Sequence, residues 1–246
     1  MRFAPLTALL VALLPAGAGE PDPDAPPAIQ ASIERMRRSA LQLHNATYTL
    51  HRQEWHGGQA YPAQIMAIKL RCPEDLYMRW TGEAYEGREA LYRPDWNQGR
   101  LRISEGTFIP TIDLDPQGVV AMHGSRHPAW EASVLRTCLR ILAGADTLSA
   151  DPDLNASYVD LGTVAVKGQP SHCYQADLPV DQDPGQYAHR VLVCMSNDHG
   201  LPTRFAAWER TGAGLRQIED YVFAGLVVNP GLTDADFDPD HADYGF

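Results

Sequence analysis

The segment from Met66 to Trp80, MAIKLRCPEDLYMRW, determines the fold class of this chain. Large apolar residues occupy every second position from Met66 to Leu70 and again from Leu76 to Trp80. A period of two is typical of strands that bury one face of a sheet. The two runs are short and closely spaced, so the segment predicts neighbouring antiparallel strands.

The same alternation continues on both sides of this segment. Residues 47–55 have the pattern of a strand that ends in a Gly57-Gly58 turn. Two helices are predicted between the strands, one at 28–44 and one that begins at Pro128 and ends at Gly144. The further predicted strands are residues 89–93, 101–104, 156–166, 170–178, 188–195, 203–210 and 215–223.

The number of strands and helices constrains the architecture. A sheet of this many strands must curl or close, and two helices are too few to cover both of its faces. We therefore predict an α+β fold, in which a curved antiparallel sheet forms an unclosed half-barrel with two helices packed on the concave side. We expect residues 28–246 to form a single domain; a two-domain division near residues 145–153 is the alternative.

The first residues have the pattern of a secretory signal peptide. Arg2 supplies a positive charge, residues 6–14 are a short apolar run, and Ala16-Gly17-Ala18 is a small-x-small cleavage site. We expect a signal peptide at 1–18, a proline-rich spacer at 19–27, and a periplasmic or secreted mature protein. The apolar run is shorter than the ~20 residues that cross a bilayer, so we do not expect an integral membrane protein.

The charge balance argues against polyanionic partners. The formal net charge is −11, and Lys69 and Lys167 are the only lysines. No basic run is long enough to follow a phosphate backbone, so we expect no nucleic acid partner.

The four cysteines suggest two disulfides in an oxidising compartment. Of the three possible pairings, we favour Cys173–Cys194, because these residues lie on adjacent predicted strands with matching polar faces. The second pair would then be Cys72–Cys138. Cys138 also lies in the apolar stripe of a predicted helix, so a buried free thiol is the alternative there.

Motifs for catalysis or metal binding are weak or absent. The chain has no G-x-S-x-G, S-x-x-K or H-E-x-x-H motif, and we predict no catalytic residues and no cofactor. His123 and His127 have a metal-ligand spacing, but Gly124 and Pro128 favour a loop and no third ligand lies nearby. The alternating aspartates at 234–240 lack the glycine and the final glutamate of a calcium loop. We therefore predict no metal site.

Apolar side chains suggest a different kind of site. A half-barrel capped by two helices often leaves part of its concavity unfilled, and methionine and aromatic side chains can then line an adaptable pocket. Ordinary core packing is the alternative interpretation of the same residues. The predicted apolar lining consists of Met66, Met78, Trp80, Trp130 and Leu135.

The order of several short motifs resembles an uncharacterised family of secreted bacterial domains within the LolA-like superfamily of lipoprotein carriers. These motifs are mostly turn and strand segments spread over nearly all of the mature chain. They are Leu76-Tyr77-Met78-Arg79-Trp80, Gly87-Arg88-Glu89-Ala90-Leu91-Tyr92, Asp115-Pro116-Gln117-Gly118, Ala121-Met122, Ser125-Arg126-His127-Pro128, Gly200-Leu201-Pro202, residues 229–238 and Tyr244-Gly245-Phe246. The resemblance implies an unclosed antiparallel barrel with internal helices, and binding of acyl chains or lipidated proteins in the periplasm.

Three functions follow as hypotheses. The first is a periplasmic protein that holds a lipid, or a lipidated protein, in an apolar half-barrel. The second is an envelope protein-interaction or stress-regulatory module on the same fold without a ligand. The third is an enzyme acting on envelope material, which would need Asp113, Asp115, His123 and His127 to lie together in a cleft.

Overall fold

The alternating segments form one antiparallel sheet whose two ends do not meet. The computed structural model describes residues 28–106, 109–150, 156–178 and 187–246. The predicted signal peptide and spacer lie outside the described residues. The strands are β1 (Asn45–His56), β2 (Gln59–Ala60), β3 (Gln64–Arg71), β4 (Asp75–Trp80), β5 (Glu89–Tyr92), β6 (Leu101–Ser104), β7 (Ile112–Leu114), β8 (Ser157–Val166), β9 (Gln169–Asp177), β10 (Arg190–Ser196), β11 (Pro202–Thr211) and β12 (Gly214–Val228).

The first and last long strands meet in the middle of this sheet. The strand order is β7-β6-β5-β4-β3-β1-β12-β11-β10-β9-β8, with the short β2 paired to β1. Leu50 of β1 lies opposite Phe223 of β12 on one side and Met66 of β3 on the other. The pairing of β1 with β12 therefore joins two meanders, each built from strands that are adjacent in sequence.

Two helices pack on the inner face of the sheet. Helix α1 (Ala28–Leu41) and helix α2 (Val134–Ala150) contribute Met36, Cys138 and Ile141 to the same core as Leu50 and Phe223. The predicted α+β fold with an unclosed antiparallel sheet and two helices is confirmed. None of the described helices is both long and apolar enough to cross a membrane.

The boundaries of both helices differ from the sequence prediction. Helix α1 ends at Leu41 rather than at residue 44, because the backbone N–H groups of His44 and Asn45 donate to the Asn229 side chain. The segment after Pro128 is a short 3₁₀ helix at Ala129–Ala132. Helix α2 begins only after Ser133, whose hydroxyl accepts a hydrogen bond from Arg136 N at 3.1 Å.

Gly144 lies within α2 rather than at its end. The helix continues to Ala150. Thr147 and Ser149 each donate a side-chain hydrogen bond to the carbonyl four residues earlier, at 3.0 and 2.9 Å, as hydroxyl side chains in helices often do. A glycine within a helix lowers its stability by about 1 kcal/mol relative to alanine but does not by itself end the helix.

The chain also covers part of the outer face of the sheet. Tyr244 stacks on Tyr77 with ring centroids 3.9 Å apart. Gly245 N donates to Glu89 at 2.9 Å, and Ser104 donates to the Gly245 carbonyl at 2.6 Å. This C-terminal strap (residues 234–246) buries β5 on both faces.

The structure contains the disulfide predicted between Cys173 and Cys194, which join β9 to β10 at directly paired positions. Cys72 and Cys138 are free thiols. Cys138 is fully buried, and burial raises the pKa of the Cys72 thiol to about 11. The reactivity of both thiols is therefore suppressed in the folded state.

Peptide mapping without reductant should recover the Cys173 and Cys194 peptides joined to each other. Alkylation should label Cys72 and Cys138 rapidly only after unfolding, because burial limits access to both thiols and disfavours the reactive thiolate of Cys72. Mass spectrometry of the alkylated peptides measures both results. A Cys72–Cys138 peptide pair would establish the second disulfide predicted from the sequence and contradict the free thiols.

Candidate functional site

A cavity of about 950 Å³ lies between the two helices and strands β8 to β11. Small-molecule sites typically enclose about 300–1,000 Å³, so this space is of the size of a ligand site. Its wall is mainly apolar, with charged side chains confined to α1 and α2. The lining residues are Ile29, Gln30, Ala31, Ile33, Glu34, Arg37, Arg38, Arg140, Ile141, Gly144, Ala145, Asp146, Thr147, Leu148, Ser149, Tyr158, Tyr174, Ala176, Leu178, Tyr187, Ala188, Val191, Val193, Met195 and Phe205.

Small residues create this space. Ala176 lies on β9 opposite Val191 of β10, and Ala188 precedes β10. On the helix side, a Cβ atom added at Gly144 would have no neighbouring atom within 4 Å. Because both sides present short side chains here, the helices pack on the sheet without filling the gap.

An ion pair joins the helices beside the cavity. Arg37 of α1 donates to both carboxylate oxygens of Asp146 on α2, at 2.6 and 3.3 Å, and Arg37 also contacts Glu34. These side chains are partly exposed, so solvent and salt screen their attraction. The pair fixes the relative position of α1 and α2 more than it stabilises the fold.

A polar cluster of His127, Arg140, Tyr187 and Glu219 lies next to the apolar wall. His127 Nε2 is 3.1 Å from Glu219, 2.9 Å from the Tyr187 hydroxyl and 3.0 Å from Arg140 Nη1. Arg140 Nη1 is also 3.5 Å from the second Glu219 oxygen. Of these four residues, Arg140 and Tyr187 line the cavity.

Glu219 is the fully buried member of this cluster. Burial alone would raise the pKa of the Glu219 carboxyl, but the hydrogen bond with His127 and the charge of Arg140 outweigh burial and hold the pKa below its usual value. Glu219 is therefore an anion at neutral pH. The cluster therefore contains a buried negative charge on Glu219, which the Arg140 guanidinium neutralises.

A second buried network lies one strand away on the same face. Glu54 of β1 accepts hydrogen bonds from the Tyr221 hydroxyl and from Arg126 N, and the Arg52 guanidinium lies 4.0 Å from the same carboxylate. Arg52 also donates to Gln64, which accepts a further hydrogen bond from the Trp80 indole. The inner face is thus polar at the end of β1 beyond Leu50, where β1 still lies between β3 and β12.

The five residues predicted to line a pocket lie outside this cavity wall. Met66, Met78, Trp80 and Leu135 are buried in the packed core, and Trp130 stacks on Tyr92 with ring centroids 5.1 Å apart. They belong to the side of the sheet where the 3₁₀ helix and the start of α2 fill the space. The cavity lies over the other half of the sheet, where no lining residue was predicted from the sequence.

The residues considered for acid–base chemistry do not form one cleft. Asp113 is paired with Arg102 at 2.9 Å, and Asp115 accepts a hydrogen bond from the backbone of Gln117. His127 contacts Glu219 instead. Within residues 28–106, 109–150, 156–178 and 187–246, no three His, Cys, Asp or Glu side chains are grouped as a metal site would require.

Three members of the polar cluster were missed from the sequence. Arg140 and Tyr187 resemble ordinary surface residues there. The signal that could have found Glu219 is the register of β12: Glu219 pairs with Ala207, which is buried. A charged residue on a buried register position indicates a buried partner of opposite charge.

Replacing Glu219 by Gln should lower the free energy of unfolding by about 3 kcal/mol at neutral pH, because it leaves Arg140 without its counter-charge. The folded-state pKa of Glu219 is depressed, so its contribution is present above the unfolded pKa and is lost as the pH falls through the folded value. Urea denaturation at pH 7 and at successively lower pH should therefore show the two proteins converging in acid.

The matched control for this prediction is Asp220→Asn on the neighbouring, opposite-facing position, where the Arg204 pair is partly exposed. Its loss should be below about 1 kcal/mol. An equal loss in the two variants would contradict the role assigned to the buried carboxylate.

Several solved structures resemble the chain in fold. Lipoprotein LppX of Mycobacterium tuberculosis is 13% identical with a TM-score of 0.49, covering 87% of this chain and 100% of the other. A LolA superfamily protein of Nitrosomonas europaea is 10% identical with a TM-score of 0.36, covering 86% and 98%. A MucA/MucB complex of Pseudomonas aeruginosa gives 11% identity and a TM-score of 0.38, covering 85% of this chain and 60% of the other.

Sequence comparison identifies the family more directly. No curated protein matches the chain. A family model described as "Protein of unknown function (DUF1571)" matches residues 43–246, from the loop after α1 through the C-terminal strap. This match confirms the uncharacterised family predicted from the order of the motifs, and the chain belongs to the DUF1571 family.

Proposed function

We propose that this protein binds the acyl chain of a lipid, or of a lipidated protein, in the cavity between α1, α2 and strands β8 to β11. The observation that carries the proposal is the cavity itself: about 950 Å³ with a mainly apolar wall. Small-molecule sites are clefts or cavities of about this size, lined mainly by apolar side chains. An apolar cleft of this size therefore suits an apolar occupant.

The chemistry of the wall favours an aliphatic occupant. Val191, Val193 and Met195 of β10 face Ile33 of α1 across the cavity, and Phe205 of β11 completes the wall. Each methylene group transferred from water into this space contributes about 0.8 kcal/mol. An acyl chain can bend to follow an irregular apolar wall, and Met195 can adapt to it.

The proposed setting is the bacterial envelope or the secreted fraction. The leader-like residues 1–18 and the Cys173–Cys194 disulfide both suit an oxidising compartment. A lipid or a lipidated protein released there would need shielding of its acyl chains from water. The cavity provides this shielding without a membrane-spanning element.

A protein-interaction module is the second candidate function, and one observation favours it. Strand β8 is a ten-residue strand at one end of the strand order, and Tyr158, Val159, Leu161 and Val164 on it are exposed. An edge strand offers unpaired backbone groups to an extended segment of another protein. The partner in this case would be a peptide that adds a strand to β8 and contributes alternating apolar side chains.

Native mass spectrometry of the protein purified from its own compartment should detect a bound mass that organic extraction identifies as a fatty acid or phospholipid. Gly144→Trp should abolish this mass, because its side chain enters the cavity from α2 where no atom lies within 4 Å of the new Cβ. Gly144→Ala is the matched control. It should retain the ligand and raise stability by about 0.5–1 kcal/mol, because alanine favours the helix.

Two results would count against an acyl chain in this cavity. One is an apo mass in the purified protein together with no binding of added lipid. The other is full ligand occupancy in a folded Gly144→Trp variant, which would place the lipid elsewhere. A protein co-purifying through β8, lost in Leu161→Lys, would instead support the interaction module.

A further inference from the structure

We infer that the arginine end of the cavity, formed by Arg140 and Tyr187 beside Phe205, binds the anionic head group of a single-chain amphiphile, and that this head group is a carboxylate. This inference rests on the proposed function and specifies its ligand. The tail would lie along the apolar wall that continues from Phe205 to Val193. Three features of this end of the cavity favour such a ligand: unsatisfied donors, a local excess of positive charge and the adjacent apolar surface.

Arg140 has more hydrogen-bond donors than partners. Its Nε and Nη2 atoms are buried and have no acceptor among the residues that the structure describes. Buried donors are nearly always paired, and guanidinium groups offer five N–H bonds with no capacity to accept. Neither atom is exposed to the cavity in this rotamer, so an acceptor brought by a ligand would satisfy these donors once the Arg140 side chain turns them toward the cavity.

His127 does not supply the hydrogen-bond acceptors that Arg140 lacks. A single ring nitrogen, His127 Nε2, faces Glu219, Tyr187 and Arg140 at 2.9 to 3.1 Å. When that nitrogen carries hydrogen and donates it to Glu219, it cannot also accept from Arg140. Arg140 Nη1 then has only the 3.5 Å contact with Glu219. The buried guanidinium is thus held by one carboxylate in imperfect geometry.

The charges around Tyr187 sum to a positive excess. The guanidinium carbons of Arg126 and Arg140 each lie 5.7 Å from the Tyr187 ring centre. Glu219 compensates Arg140. Arg126 forms no salt bridge with any described residue, and it donates instead to the carbonyl of Trp55 at 3.1 Å.

Nearby carboxylates already have partners of their own. Glu54 is paired with Arg52, and Glu209 with Arg216 at 2.6 Å. One positive charge therefore remains uncompensated near this end of the cavity, that of Arg126, which contacts Tyr187 but is not part of the cavity wall. A monoanion is the ligand charge that balances it.

A carboxylate fits the geometry of the available donors. Arginine presents a planar pair of N–H groups that matches the two oxygens of a carboxylate, and the Tyr187 hydroxyl, which contacts His127 Nε2 at 2.9 Å, positions the cluster beside it. Phe205 lies 5.0 Å from the Arg140 guanidinium carbon and borders the apolar wall. A head group at Arg140 would thus have its first methylenes against an aromatic ring, as an amphiphile requires.

Calorimetric titration with laurate and with 1-dodecanol, which has the same chain length and no charge, tests this inference. The protein is first freed of co-purified lipid on a hydrophobic resin, and the pH is kept where laurate is ionised. We expect laurate to bind roughly tenfold or more tightly than dodecanol, since a hydrogen bond to a charged group contributes about 1.5–3 kcal/mol. Arg140→Gln should remove this preference. Because this change also leaves Glu219 without its counter-charge, urea denaturation and dodecanol affinity of the variant are measured alongside, and retained dodecanol binding shows that the cavity is intact.

Two further variants separate a head-group site from general attraction. Tyr187→Phe keeps every charge and should weaken laurate alone. Arg38→Gln removes a charge from another cavity-lining residue, on α1, and should preserve the preference for laurate.

The outcomes distinguish the two levels of the proposal. Equal affinities for laurate and dodecanol, or an equal loss of preference in Arg38→Gln and Arg140→Gln, would overturn the head-group site and leave acyl binding standing. Binding of neither compound would overturn acyl binding itself, and the head-group site with it.

Discussion

Two helices cannot cover the inner face of a sheet of this width, and the rest of the structure follows from that mismatch. The start of α2 and the preceding 3₁₀ helix pack over β1 and β3 to β5, where Val134 N donates a 3.1 Å hydrogen bond to the Tyr48 hydroxyl. The later turns of α2 and the start of α1 stand over β8 to β11, where the sheet presents short side chains. One half of the concavity is therefore filled and the other half is empty.

The charged groups buried between these halves have a related cause. A strand that passes through the centre of the sheet contributes side chains to the inner face at every second position, whether or not a helix covers them. Glu54 on β1 and Glu219 on β12 lie at such positions, and Arg52 and Arg140 neutralise them. Replacing such pairs with apolar residues is often neutral or stabilising in other proteins, so a gain in stability does not by itself account for their presence beside a cavity.

The sequence pattern predicted the strands of the sheet but not the cavity or most of the polar cluster. Particular residues show why. Alternation from Met66 to Trp80 predicts the strands because period two reports burial of one face directly. The helix end predicted at Gly144 was wrong, because a glycine can occupy a helix interior as well as a helix end. The cavity depends on Ala176 and Ala188 lying opposite the helices, and the cluster depends on Glu219 lying beside His127. Both are consequences of register and helix placement, which no local pattern encodes.

The central pairing of β1 with β12 has a consequence for the order of events during biosynthesis. The strands from β3 to β7 can pair as soon as they are made, since each neighbours the next along the chain. Leu50, by contrast, must wait for Phe223 of β12, which follows the intervening strands along the chain. Closing so long a loop is slow compared with forming hairpins. The hairpins on either side of β1 and β12 therefore form before the core between these two strands closes.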